Sequence, residues 1–67
     1  MTIYKKIGEL ETRNGGRLII YEYWNKFQAV PLYEVVHVRK SGFADIVRTG
    51  LRCKPNGRQI ERYLNEC

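Results

Sequence analysis

Catalysis needs a nucleophile or a proton-transferring pair, and residues able to supply one are sparse in this chain. His37 is the only histidine and lies between Val36 and Val38, with only Ser41, Asp45 and Cys53 remotely available as a nucleophile or second acid. A histidine in such an apolar run reads as a structural or surface residue, so an enzyme is not expected. Cys53 and Cys67 allow one internal bridge at most, and with His37 they fall short of the four ligands of a structural zinc site. Cys53 reads as a small apolar residue at a sheet edge. Arg13-Asn14-Gly15-Gly16-Arg17 has the glycines of a phosphate loop but lacks the Walker lysine followed by Ser or Thr. It reads as a hairpin turn flanked by two arginines, and no cofactor or metal is implied.

Binding is better represented than reaction chemistry. Twelve Lys and Arg against seven Asp and Glu give a formal charge of +5, and five Tyr, two Phe and one Trp are threaded among them. Between Arg39 and Arg62 stand seven cations and two anions. Such a stretch suits phosphate contacts, which position a nucleic acid without reading its sequence, while tyrosines on a sheet can stack on single-stranded bases. On this reading Arg39, Lys40, Arg48, Arg52, Lys54 and Arg58 hold backbone phosphates, and Tyr21, Tyr23 or Tyr33 stack. The chain is then a small basic nucleic-acid-binding accessory or regulatory protein, for DNA or RNA. The competing reading uses the same residues differently, because Tyr, Trp and Arg are also enriched at protein-interface hot spots. It makes the chain an interaction module or inhibitor, of a kind that a virus or mobile element could encode, docked on a larger protein. Neither a helix-turn-helix nor a zinc-finger or RNP pattern is present to decide between them.

The elements that must position these residues are four strands and a helix. Asn14-Gly15-Gly16 tolerates the positive φ angles of a tight turn, and joins a strand from about Ile3 to Thr12 to one from about Arg17 to Phe27. Ile3, Ile7 and Leu10 also fit helical spacing, but Gly8 weakens a helix interior and the turn chemistry favours a hairpin. After Pro31, Leu32 to Arg39 reads as a third strand, and a turn at Ser41-Gly42 leads into a fourth from Ala44 to Thr49. Asn56 with Gln59 three residues later makes a capping box, after which Ile60, Tyr63, Leu64 and Cys67 recur at helical spacing. The expectation is one α+β domain, two consecutive hairpins with a single C-terminal helix on one face.

One helix covers one face of such a sheet, so the other must meet water or a partner. Leu18, Ile20, Val36 and Val38 are assigned to the helix side, leaving Tyr21, Tyr23, Tyr33, His37 and Arg39 on the open side. A one-residue slip exchanges the faces. A two-residue turn at Ser41-Gly42 would set Val35 opposite Arg48 on that open face. A three-residue turn at Lys40-Ser41-Gly42 would set His37 opposite Asp45 and Glu34 opposite Arg48. The meander-plus-helix outline is similar in architecture to the arm-binding domains of phage integrases, which lay a three-stranded sheet in a DNA groove; the expected fourth strand departs from that pattern. Domains this small gain stability from supplements, and a homodimer through the open face is the expected one. Without an apolar leader or membrane span, the chain is expected in the cytoplasm, with its thiols reduced.

Overall fold

Two tight turns of one design lie at one end of the sheet. In the first, the Thr12 amide donates to the Gly16 carbonyl (3.0 Å) and the Gly15 amide to the Thr12 carbonyl (3.3 Å), with Gly15 at φ +82°. In the second, the Arg39 amide donates to Phe43 O and the Gly42 amide to Arg39 O, both at 2.8 Å, with Gly42 at φ +93°. Each is a three-residue loop whose third position must be left-handed, which glycine occupies without a Cβ clash. Gly16 is required for a different reason. A Cβ there would stand 2.5 Å from the Val38 carbonyl oxygen, 3.1 Å from His37 Nε2 and 3.1 Å from Thr12 Oγ1. The buried Thr12 hydroxyl accepts the Gly16 amide at 3.0 Å and closes the turn from inside.

The computed structural model describes residues 2–66. It contains strands β1 (Ile3–Glu11), β2 (Arg17–Trp24), β3 (Leu32–Val38) and β4 (Ala44–Leu51) and helix α1 (Gly57–Glu66). The strands form one antiparallel sheet in the order β1-β2-β3-β4, an α+β fold of the expected type. Residues 3–11 are strand rather than helix. β2 stops at Trp24 instead of Phe27, because Asn25 starts a turn: its side chain accepts the Phe27 amide at 2.9 Å and its carbonyl the Gln28 amide at 3.1 Å. Phe27 is left 85% exposed in the loop. The expected Cys53–Cys67 question lies outside the described residues.

The capping box forms as the sequence implies. Gln59 N donates to Asn56 Oδ1 (2.9 Å) while Asn56 N donates to Gln59 Oε1 (3.0 Å), so two amides that a helix start leaves unpaired are satisfied. The helix then lays Tyr63, with Ile60 and Leu64, on Leu18, Ile20 and Val35, and Ile7, Val47 and Leu51 complete the cluster. Leu18 and Val35 are 0% exposed.

That cluster corrects the face assignment on β3. Ile20 stands opposite Val35 and Leu18 opposite His37, so Val35, His37 and Tyr33 face the helix, whereas Val36 and Val38 lie on the open side with Ile19 and Arg17. The physical reason is the β2–β3 connection. It spans seven residues, 25–31, and unlike the two tight turns imposes no register.

Gly16→Ala is expected to destabilise the fold by about 1–3 kcal/mol, the usual range for overpacking, read as a lowered denaturation midpoint at unchanged slope. A shift within error would show that the Val38 carbonyl yields to the methyl. Asn56→Ala is expected to cost about 1 kcal/mol through the lost cap, with Gln59→Ala adding little to it in the double variant.

Candidate functional site

Three irregularities in strand pairing determine which side chains share a surface. On β1 the register shifts between Lys6 and Gly8, so Lys6 faces Tyr21 and Tyr4 faces Tyr23. On β4 it shifts twice: His37 pairs with Asp45 and Val36 with Ile46, then Val35 pairs with Arg48 and Tyr33 with Leu51. The structure thus takes His37–Asp45 from the three-residue-turn alternative and Val35–Arg48 from the two-residue one. The bulge at Val47 reconciles them, and Glu34–Arg48 does not form. Because Val35 faces the helix, Arg48 does too.

The open face carries Tyr4, Tyr21 and Tyr23 together. Tyr4 stacks on Tyr23 (centroids 5.2 Å, 27° between planes) and meets Tyr21 edge-on (6.1 Å, 87°). Tyr23 is also tied into the sheet: Gly50 N donates to its hydroxyl (3.2 Å), which bonds Thr49 Oγ1 (3.4 Å), which donates to Glu34 Oε1 (2.9 Å). Such a chain of donors polarises each link and fixes the ring. The hydroxyls of Tyr4 and Tyr21 make no hydrogen bond to the described residues. Beside them lie Ile19, Val36 and Ile46, with Tyr4 54% and Ile46 64% exposed. Charged positions on the same face are Lys6, Arg17, Glu9, Glu11 and Glu34, two cations against three anions. Glu9 holds both cations, Arg17 at 3.2 Å and Lys6 at 3.7 Å.

Tyr4 was not singled out from sequence, since unbroken counting from the first turn would set it opposite Trp24 on the other side. Tyr33, expected with the open tyrosines, instead lies on the helix side and donates to Glu22 Oε2 at 3.2 Å. Desolvation, and then the Glu22 carboxylate that accepts its proton, hold the Tyr33 phenol above its ordinary range, with a smaller contribution from nearby Cys53.

The six predicted phosphate contacts are not one patch. Arg39 and Lys40 sit in the β3–β4 turn, while Arg52 and Lys54 follow the far end of β4, an eight-residue strand that separates them by roughly 25 Å at the usual rise. Arg58 lies on the outward face of α1 with Arg62, and all four of Arg52, Lys54, Arg58 and Arg62 are exposed. Arg39 is paired with Asp45 (2.8 Å) and Arg48 with Glu66 (3.3 Å), Arg48 also standing over the Tyr63 ring at 5.4 Å. Arg39 and His37 are therefore corrected as well: neither joins the tyrosine face. Among the described residues no three of His, Cys, Asp and Glu cluster as metal ligands, and no helix is long and apolar enough to cross a membrane. No protein-family model, curated protein or solved structure matches the chain.

The raised Tyr33 pKa has a defined consequence. The folded state holds this proton more tightly than the unfolded chain, so the associated stability is present below the ordinary phenol pKa, about 10, and is lost as pH climbs through the folded value. Phenolate absorbance should contain a component that titrates above the ordinary phenol range, and Tyr33→Phe should remove it. Glu22→Gln should lower it only partway, because desolvation remains.

Proposed function

We propose that this chain is a protein-interaction module whose docking surface is the open sheet face centred on Tyr4, Tyr21 and Tyr23. What carries this reading is that the face combines Tyr4, packed against both Tyr21 and Tyr23, with Ile19, Val36 and Ile46 and has no excess of positive charge. Stacked rings restrained by neighbours lose little entropy on binding, and two unpaired hydroxyls can accept or donate to a partner. In a body of 37 × 25 × 15 Å, the broad face approaches the roughly 800 Å² that each partner contributes to a standard interface. The partner is a protein surface, either a larger host protein or a second copy of the chain.

A second reading rests on a separate observation. Arg52, Lys54, Arg58 and Arg62, in the β4–α1 connection and on α1, make no ion pair among the described residues, so they remain available to phosphates. Nucleic acid bound there would be held by charge, without base stacking on the tyrosines of the opposite face.

Substituting Tyr4→Ser and Ile46→Ser together tests the first reading. Both side chains are largely exposed, so the fold should survive, with the melting temperature lowered by about 4–8 °C per kcal/mol of ring packing lost, while self-association in sedimentation, or nuclease-resistant capture of a protein partner, is lost. Capture that disappears with nuclease and survives the substitution would transfer the function to the cationic side. In that event Arg52→Ala with Lys54→Ala should flatten the salt dependence of oligonucleotide binding by roughly 2 units of slope.

A further inference from the structure

The two tight turns lie side by side at one end of the sheet, since Arg17 at the start of β2 pairs with Val38 at the end of β3. Lys40 packs its stem against Gly15, with the Cδ 3.3 Å from where a Cβ would stand. Below them, on the helix side, opens a groove of about 730 Å³ lined chiefly by Asn14, His37, Arg39, Lys40, Ser41 and Asp45 and closed by Arg48 and Glu66. Its charges are unequally committed. Glu66 is paired with Arg48, whose guanidinium also donates to the Val47 carbonyl at 2.7 Å. Asp45 is paired with Arg39, whose Nε lies 2.8 Å from its Oδ2.

Arg39 is consequently held from two sides. Its Nε meets Asp45 Oδ2 at 2.8 Å, and its Cζ stands 5.6 Å from the centre of the Phe43 ring. The terminal nitrogens Nη1 and Nη2 donate no hydrogen bond among the described residues. A guanidinium held at its inner nitrogen and set over a ring presents its outer fork already oriented, the arrangement suited to two parallel bonds with an oxyanion. Lys40 makes no ion pair among the described residues, and the hydroxyl of Ser41 and the amide of Asn14 line the same space.

We propose that this groove binds the phosphate group of a small ligand, with Arg39 as the bidentate anchor and Lys40, Ser41 and His37 as the remaining donors. The site is separate from the tyrosine face and does not depend on what docks there. It is also distinct from Arg52, Lys54, Arg58 and Arg62, so the two cationic regions can be tested independently.

The test is an amide-resolved NMR titration of the full chain with inorganic phosphate, against chloride at matched ionic strength. Saturable shifts at His37, Arg39, Lys40 and Ser41 are expected with phosphate alone. Arg39→Lys retains a charge beside Asp45 but lacks the fork, and should weaken phosphate roughly tenfold; Arg52→Ala with Lys54→Ala should leave it unchanged. Shifts reproduced by chloride, or an affinity indifferent to Arg39→Lys, would overturn the proposal. So would displacement of phosphate by an oligonucleotide without terminal phosphates, which would assign the groove to backbone diesters instead.

Discussion

The pairing of Ile20 with Val35 is the constraint on which the rest of this structure depends. It sets Leu18, Ile20 and Val35 beneath the one helix, and Tyr63 descends onto them to make the core. A single layer of contact between sheet and helix must offset the entropy of ordering the whole chain, and small domains have little surplus. Shifting β3 by one residue would put Val36 and Val38 under the helix and turn Val35 outward. The tyrosine face, the position of His37 and the groove at the turn end would all change with it, because a period-two strand exchanges every side chain at once.

Bulges then decide what the register alone does not. The irregularity at Ile7 turns that residue toward the core while returning Tyr4 to the side of Tyr21 and Tyr23. The one at Val47 does the same on β4: Val47 packs on the core, and Arg48 beside it reaches the Tyr63 ring and Glu66. An extra residue in an edge strand also twists it and breaks the row of outward amides, which discourages pairing with another sheet. Both outer strands of this sheet carry such an irregularity. Edge-to-edge pairing is thereby discouraged, which suits the proposal that the open face is the docking surface.

Legibility in the sequence followed the range of the interaction. The Asn14-Gly15-Gly16 turn, the strand nature of residues 3–11, the fourth strand and the Asn56–Gln59 capping box are local, and each is readable because glycine, asparagine and glutamine act within a few residues. The face of β3 was not readable. Leu32, Val36 and Val38 compete with Tyr33, Val35 and His37 on nearly equal apolar terms, and the long connection from Asn25 to Pro31 transmits no register. Tyr4 and Arg48 were misjudged or missed for a related reason: alternation is counted across a strand as though it were unbroken, and a bulge leaves no compositional mark. The cations between Arg39 and Arg62 look contiguous in sequence, yet an intervening strand carries Arg39 and Lys40 far from Arg52 and Lys54.

That separation changes what the composition means. Cations interleaved with aromatics suggest one surface that both attracts phosphate and stacks bases, but here the two properties fall on different sides of the sheet. On the open side Ile19 is buried with no layer above it, because Glu9 and Val36 flank it in register and Arg17 and Tyr21 stand at the neighbouring positions of its own strand. The Glu9–Arg17 and Glu9–Lys6 pairs close over that end, while Tyr4 and Ile46 remain exposed elsewhere on the face. On the proposed reading a partner would meet an apolar and aromatic floor whose border carries paired charges, with no excess of cations. The positive potential of the chain resides mainly with the helix and the turns, where it can steer an acidic partner toward the molecule without entering the contact itself.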